Sequence, residues 1–584
     1  MTSCSGMANM IVSARPSLFD TLAPMDRSPP PAPVLSGHNA FLSLLADEGI
    51  EYLFGNPGTT ELAIMDAMSQ QSEISYVLGL QESIVVAMAD GYARASNRLS
   101  ACNVHVAPGL GNAMGALYSA KFYGSPLIVT AGQQEQGHGL MEPMLYDPLV
   151  PIAQPLVKWA VEVSRLQDLP RIVRRAAKIA MSPPTGPVFI SLPGDILDAQ
   201  APLDLGASTR VEIDTRPSDA VLEKLADRLL AARHPVLIAG HELATRDALS
   251  EAAELAEVLG APVYQQTVAY AAHFVCEHPA FMGSLTRTQS VVRAALAPYD
   301  LALDLGGDML RMSVYSVLDA LPEGMPIVHI SERDAELGKN YATEIAIHAS
   351  VKSTLRALIP LLRRRMDAAQ VSAAKNRLAE VAKNNWTAKR AKLVADMAAR
   401  ADVQPIDPRY LMMQISDALP EDAVVVEEGL TSTSSLPSFL RLRDAQSFHG
   451  LASGGIGFAV AGAIGVSLAL PQRPVYAVIG DGSAMYTIQA LWTAAHYKLP
   501  ITYIICNNQS YRILKERLVS MRRTDKFIGM DLREPAIDFV GLAESMGVPA
   551  VRVTRPADVM VALRQPSPGG PRLIDVRVAD GFGN

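Results

Sequence analysis

Val475–Ile479 is an apolar run that ends in Gly480-Asp481-Gly482, and a second apolar run, Ile501–Cys506, ends in Asn507-Asn508. Between them, around Gln489–His496, the apolar residues fall at helical spacing. Strand–helix–strand order commits the two strands to one direction, because a parallel pair needs a long crossover. Asp481 and Asn508 then emerge side by side at the carboxyl edge of a sheet, where open α/β sheets bind ligands. One carboxylate and one amide oxygen are hard donors of the kind Mg²⁺ takes from protein, with phosphate and water completing its shell. The flanking glycines admit a phosphate close to the backbone. The unit is read as a holder for a diphosphate, bound through a divalent metal.

The rest of the chain is consistent with a large enzyme. Its 584 residues exceed what one hydrophobic core supports and suggest about three or four domains. A net charge of −8 and the lack of a basic stripe exclude a nucleic-acid footprint. Cys4, Cys102, Cys276 and Cys506 have no paired spacing and read as reduced thiols, which places the chain in the cytoplasm. Phe458–Leu470 is too short and glycine-rich to span a bilayer and fits a buried helix, so no membrane partner is expected.

Strands and helices alternate from about Gly37 onward. Residues 1–36, rich in Ser, Pro and Met, are read as a disordered extension, with Met25 a candidate initiator. A first block covers 37–195 and ends after the strand Val188–Leu192. A polar connector leads to a middle block, 219–365, with strands at Val236–Ala239, Leu301–Leu305 and Ile327–Ile330. A helical linker, 366–404, precedes the last block, 405–584. The fold class is therefore α/β, with three successive doubly wound parallel-sheet domains.

The first block repeats one grammar, in which a strand gives way to a polar or glycine-rich turn and then a helix. Phe54-Gly-Asn-Pro-Gly-Thr-Thr-Glu61, Leu78-Gly-Leu-Gln-Glu82 and Val104-His-Val-Ala-Pro-Gly109 each carry special residues to one sheet edge. Glu82 follows an apolar strand and precedes an apolar helix, so burial is expected to disfavour its charged form. Gly109-Leu-Gly111 is no dinucleotide fingerprint, since the third glycine and the downstream acid are missing.

With both halves in view, the Gly480-Asp-Gly482…Asn507-Asn508 spacing is similar to the signature of thiamin diphosphate enzymes. The chain from about Gly37 onward resembles benzoylformate decarboxylase and related 2-keto acid decarboxylases. The resemblance implies a pyrimidine-binding first domain, a diphosphate-binding last domain and a cofactor-free, Rossmann-like middle domain. It implies thiamin diphosphate and Mg²⁺ as cofactors, with Asp481, Asn508 and the carbonyl of Ser510 on the metal. It places Asn56, Pro57, Gly58, Thr431, Ser432, Gly482 and Ser483 around the cofactor. Ile456 would prop the cofactor into a bent shape, and the Gly454 carbonyl would accept from its amino group. Glu82 would hydrogen-bond the pyrimidine ring from another chain, so a homodimer or homotetramer with active sites between chains is implied.

His105 and His278 match the family's acid/base positions, with His273 as a competitor for the second. Thr59 falls where the decarboxylase binds the substrate carboxylate through a serine. Ile513 and Arg517 stand where those enzymes carry a small residue and an aromatic, which reshapes and recharges the substrate pocket. Leu430 replaces a hydroxyl residue near the diphosphate. Arg512–Leu518 resembles acetolactate-synthase-type relatives. Non-oxidative decarboxylation of an aryl or branched 2-keto acid to an aldehyde is the leading expectation, and carboligation to a 2-hydroxyketone the alternative.

Overall fold

Three six-stranded parallel sheets follow one another along the chain. The structure, a computed structural model, describes residues 32–71, 73–567 and 569–582. A two-stranded antiparallel ribbon, β1 (Val34–Ser36) with β8 (Gln200–Pro202), joins the entry and exit of the first domain. Ordered structure thus begins inside the extension assigned to 1–36, because Val34–Ser36 finds a strand partner. The call on residues 1–31 lies outside the described residues.

The first sheet is built from β2 (Tyr52–Gly55), β3 (Ser75–Leu78), β4 (Ser100–Val104), β5 (Leu127–Gln133), β6 (Ala160–Glu162) and β7 (Val188–Pro193). The middle sheet holds β9 (Pro235–Ala239), β10 (Val263–Gln265), β11 (Phe281–Ser284), β12 (Leu301–Leu305), β13 (Ile327–Ser331) and β14 (Ile345–His348). The third contains β15 (Val424–Glu428), β16 (Phe448–Gly450), β17 (Val475–Gly480), β18 (Ile501–Asn507), β19 (Ala550–Val553) and β20 (Arg572–Arg577). All seven residues of β18 are buried, which explains its unbroken apolar run.

The outer domains share one topology. Their orders, β3-β2-β4-β5-β7-β6 and β16-β15-β17-β18-β20-β19, superpose when strands are counted from the first in each domain. The middle sheet runs β11-β10-β9-β12-β13-β14, the doubly wound dinucleotide-fold order. Its own side chains fill its switch point. Arg333 pairs with Asp308 at 2.6 Å and with Glu242 at 3.2 Å, and Glu242 also accepts from the Ser331 hydroxyl and the Glu332 N–H. A Cβ on Gly240 would lie 2.1 Å from the Gly307 nitrogen, so the loops after β9 and β12 leave no gap.

The first and third domains meet through the helices Glu82–Ser96 and Ala459–Ala469. Residues Ile84–Ala89 and Ala459–Ile464 belong to one apolar cluster with the inner faces of both sheets. At the far end of that contact, the buried Arg94 guanidinium lies between the Tyr123 and Phe458 rings and donates to the Gly450 carbonyl. Tyr270, His241 and His273 of the middle domain close the same junction, and Ala271 bridges His449. Among the described residues, no helix is long and apolar enough to cross a membrane.

Candidate active site

In the third domain, the switch point lies between β15 and β17. The cleft there is lined by Leu430, Thr431 and Ser432 after β15, Ile456, Gly480–Ser483 after β17, and Asn508, Ser510, Tyr511, Arg512 and Ile513 after β18. Asp481, 3% exposed, accepts from the Gly482 N–H at 2.8 Å and from the Gln509 N–H. The Asn508 carbonyl oxygen accepts from the Ser510 N–H at 2.9 Å, and its amide donates to the Ser432 hydroxyl at 3.2 Å. Gln509 adopts the left-handed conformation, turning the chain sharply so that both donors face one opening. Gly482 is required by the wall: a Cβ there would sit 2.6 Å from the Tyr511 ring.

Burial pushes Asp481 up to about 6, opposed by its backbone N–H donors and by the more distant Arg577. A buried carboxylate with only neutral donors beside it suits a divalent cation. Two side-chain oxygens match a metal that takes its other ligands from phosphate and water, and among the described residues no cluster of three or more His, Cys, Asp or Glu competes for that role. The cleft's donor set fits Mg²⁺ and a diphosphate.

The first domain presents the topologically equivalent edge. Asn56–Thr60 follow β2, Glu82 opens the helix after β3, and His105 follows β4. Glu82, 7% exposed, accepts from the Asn56 amide at 3.2 Å and the Asn112 amide at 3.0 Å. Gly109 lies against it, with the Glu82 carboxyl 3.2 Å from where a Cβ would stand. Among the described residues, none of those lining the cleft of the third domain comes from this domain, so the two edges stand as separate candidate half-sites in one chain.

The histidine corner holds a residue missed in the sequence. Glu61, 1% exposed, accepts from the Gly58 N–H at 2.8 Å, the Gly132 N–H at 2.9 Å and the Thr60 hydroxyl at 2.8 Å. The same carboxylate lies 2.8 Å from His105 Nδ1. A carboxylate only accepts, so Nδ1 donates to it, while Nε2 makes no hydrogen bond among the described residues. The His105 ring covers Gly58, where a Cβ would fall 2.2 Å from it. Val106, next in the chain, sits at φ 42°, strain that a β-branched residue accepts only where its surroundings impose it.

Glu428 is the second missed residue. It ends β15 fully buried, and its two oxygens accept from the N–H groups of Gly457 and Ala459, which fixes the turn carrying Gly454 and Ile456. Burial, with Glu427 adjacent, pushes it up to about 8. Gly454 adopts φ 80°, in the open region that suits glycine, and its surroundings leave it exposed.

Other calls are redistributed. Pro57 and Thr59 lie exposed at the rim of the histidine corner, and it is the Thr60 hydroxyl that reaches His105, at 3.2 Å. Arg517 is exposed and does not line the cleft, because it lies one helical turn beyond Ile513; Arg512 lines it instead. His278 stays within the middle domain, with Nδ1 accepting from the Ala280 N–H and Nε2 3.3 Å from Glu257. His273 is fully buried against Tyr270, and burial drives it down to about 3. Neither touches a half-site.

Family models for the thiamine pyrophosphate enzyme N-terminal, central and C-terminal domains match residues 35–145, 222–358 and 431–576. The benzoylformate decarboxylase of Pseudomonas aeruginosa is 32% identical over 530 residues, 90% of this chain and 96% of the relative. An acetolactate synthase of Mycobacterium bovis is 28% identical, over 91% of this chain and 86% of its own. A 4-hydroxybenzoylformate decarboxylase structure from Rhodococcus jostii superposes with a TM-score of 0.83 at 31% identity, covering 94% of this chain and all of its own. With the cleft, the paired half-sites and these matches together, the chain belongs to the thiamin pyrophosphate enzyme family.

Proposed function

We propose that this chain, with thiamin diphosphate and Mg²⁺, decarboxylates an aryl or branched 2-keto acid and releases the aldehyde. The observation that carries the reading is the pair of topologically matched half-sites, one with hard donors and the other with a buried carboxyl and an oriented imidazole. The cofactor supplies the electron sink for loss of CO₂. Asp481, Asn508 and the Ser510 carbonyl hold the metal, while Thr431, Ser432, Gly482 and Ser483 hold the diphosphate. Glu82 holds a proton against the pyrimidine ring, its orientation set by Asn56 and Asn112. Ile456, held in place through Glu428, props the cofactor. His105 Nε2 moves a proton at the reacting carbon, and Thr59 at the rim meets the substrate carboxylate.

Because one chain presents these groups in two separate places, a second copy completes each site, as a homodimer or a dimer of dimers. The name of the relative at 32% identity supports the decarboxylase reading. A second reading, carboligation, draws on Arg512 in the cleft, whose Nε is held by Glu516 at 2.8 Å while its Nη2 has no hydrogen-bond partner among the described residues, and on the acetolactate synthase relative.

A panel of 2-keto acids with the purified chain, thiamin diphosphate and Mg²⁺ tests both, scoring CO₂, aldehyde and 2-hydroxyketone. Aldehyde is expected as the main product, and His105→Ala is expected to slow its release by ~10²–10⁴-fold, the usual worth of general acid catalysis. A wild-type protein that yields chiefly hydroxyketone selects carboligation. Absence of CO₂ from every keto acid sinks both readings.

A further inference from the structure

We infer that a groove on the outer face of the first domain binds a small anion with two linked phosphates, between a helix and the connector to the middle domain. The groove encloses about 480 Å³, within the ~300–1,000 Å³ range of small-molecule sites. One wall is the helix Leu169–Met181, which buries Leu169, Val173, Ala176, Ala177 and Ala180 against the sheet. Its polar face carries Arg171, Arg175 and Lys178 at the spacing that stacks side chains on one stripe. Like charges at that spacing repel, and the helix sequence contains no acid to offset them.

Among the described residues, none of these three cations pairs with a carboxylate; Arg175 instead lies over the Trp159 ring, 5.0 Å from its centroid. Their state differs from that of their neighbour. Arg174 uses its guanidinium on Asp47, Glu48, the Ser208 hydroxyl and the carbonyls of Leu205 and Gly206. It is a tether, not a spare donor, and it fixes the connector as the opposite wall. That wall offers the Thr209 side chain and one carboxylate, Asp204, whose oxygen already accepts from the Gly206 N–H at 2.9 Å.

This short cationic stripe, not picked out in the sequence, lies in a chain of net charge −8, whose overall field repels anions. Guanidinium groups match phosphate geometry in a bidentate way, and an ammonium adds a point charge. Two arginines and a lysine along one helix face suit two linked phosphates better than a single carboxylate. A ligand there would touch both the helix and the connector. It would therefore stiffen the joint between the first two domains.

The test uses the full chain saturated with thiamin diphosphate and Mg²⁺, so that the diphosphate cleft is not available to the probe. ADP, pyrophosphate and inorganic phosphate are titrated by calorimetry, with hydrogen exchange as the local readout. ADP or pyrophosphate is expected to bind saturably and to protect 169–181 and 204–209. The two probes separate a nucleotide site from one that reads the phosphates alone. Arg171→Glu/Lys178→Glu is expected to weaken binding at least tenfold, and Arg171→Gln/Lys178→Gln less, with keto acid turnover unchanged. Absence of saturable binding by all three probes, protection elsewhere in the chain, or unchanged affinity in the neutralised pair overturns the inference.

Discussion

At the scale of single residues, the chemistry of the first domain turns on one buried carboxylate. Glu61 holds the Nδ1 side of His105 and leaves Nε2 as the working atom. Glu61→Gln keeps the volume but offers an amide that donates as well as accepts, so the imidazole loses its imposed tautomer. Turnover is expected to fall by ~10²-fold or more, within the range for a misdirected acid–base group, while the rise in melting temperature on adding thiamin diphosphate and Mg²⁺ is retained. Steady-state kinetics and thermal melts on the same sample check both halves; an unchanged kcat removes Glu61 from the catalytic corner. Asp481 and Asn508 were legible in the sequence because each follows its strand directly, so local spacing places them. Glu61 and Glu428 were not, because their partners come from other strands: β4 for Glu61, and the turn after β16 for Glu428. Arg517 stands exposed, outside the cleft lining of one chain, because spacing alone does not say where a helix leaves the wall.

Among the elements, the helices Glu82–Ser96 and Ala459–Ala469 meet backbone to backbone. A Cβ on Gly91 would stand 2.2 Å from the Gly462 carbonyl oxygen, and one on Gly465 only 1.9 Å from that of Met88. Backbone cannot yield as a side chain tip does, so Gly465→Ala is expected to cost about 1–3 kcal/mol, the usual range for overpacking. Gly115→Ala, in open space on the helix Val106–Tyr123, is the matched control and is expected to stabilise by roughly 0.5–1 kcal/mol. Denaturant melts of the two variants compare them; equal stabilities would show that the helices do not meet this closely. The sequence marked Phe458–Leu470 as a buried helix from its apolar run, and the strands from theirs. The reason for its glycines was hidden, because a close approach depends on a partner helix hundreds of residues away.

For the whole molecule, the three-domain junction sets a response to acid. His241, His273 and His449 are buried there, and their ring nitrogens find few partners. Burial, with Arg94 and Arg473 nearby, holds His449 at about 3; burial and Arg333 hold His273 at about 3 against the pull of Asp308; His241 lies well below its ordinary value. Asp444 is the other charge facing His449. Folded values below the unfolded one mean that the unfolded chain binds more protons. The stability these histidines contribute is therefore full above about pH 6.5 and is lost as pH falls toward the folded values, by up to about 1.4 kcal/mol per pH unit for each, against the opposite slope of the raised Glu428 and Asp481. Melts between pH 7 and 5 compare the wild type with His449→Phe, which is expected to lose less stability as pH falls; identical pH profiles for the two would contradict that histidine's burial.

The ribbon of β1 and β8 has a bearing on synthesis. Since β8 ends at Pro202, the first domain can close soon after that residue leaves the ribosome, with its entry and exit tied together. The apolar face of the helix Glu82–Ser96 is not covered at that moment. Its cover, the helix beginning at Ala459, arrives about 260 residues after Pro202, on the order of 10–50 s later at ordinary elongation rates. A nascent chain in this interval shows neighbouring polysomes a sealed domain with one greasy side, and a chaperone acting in that window would find its substrate there.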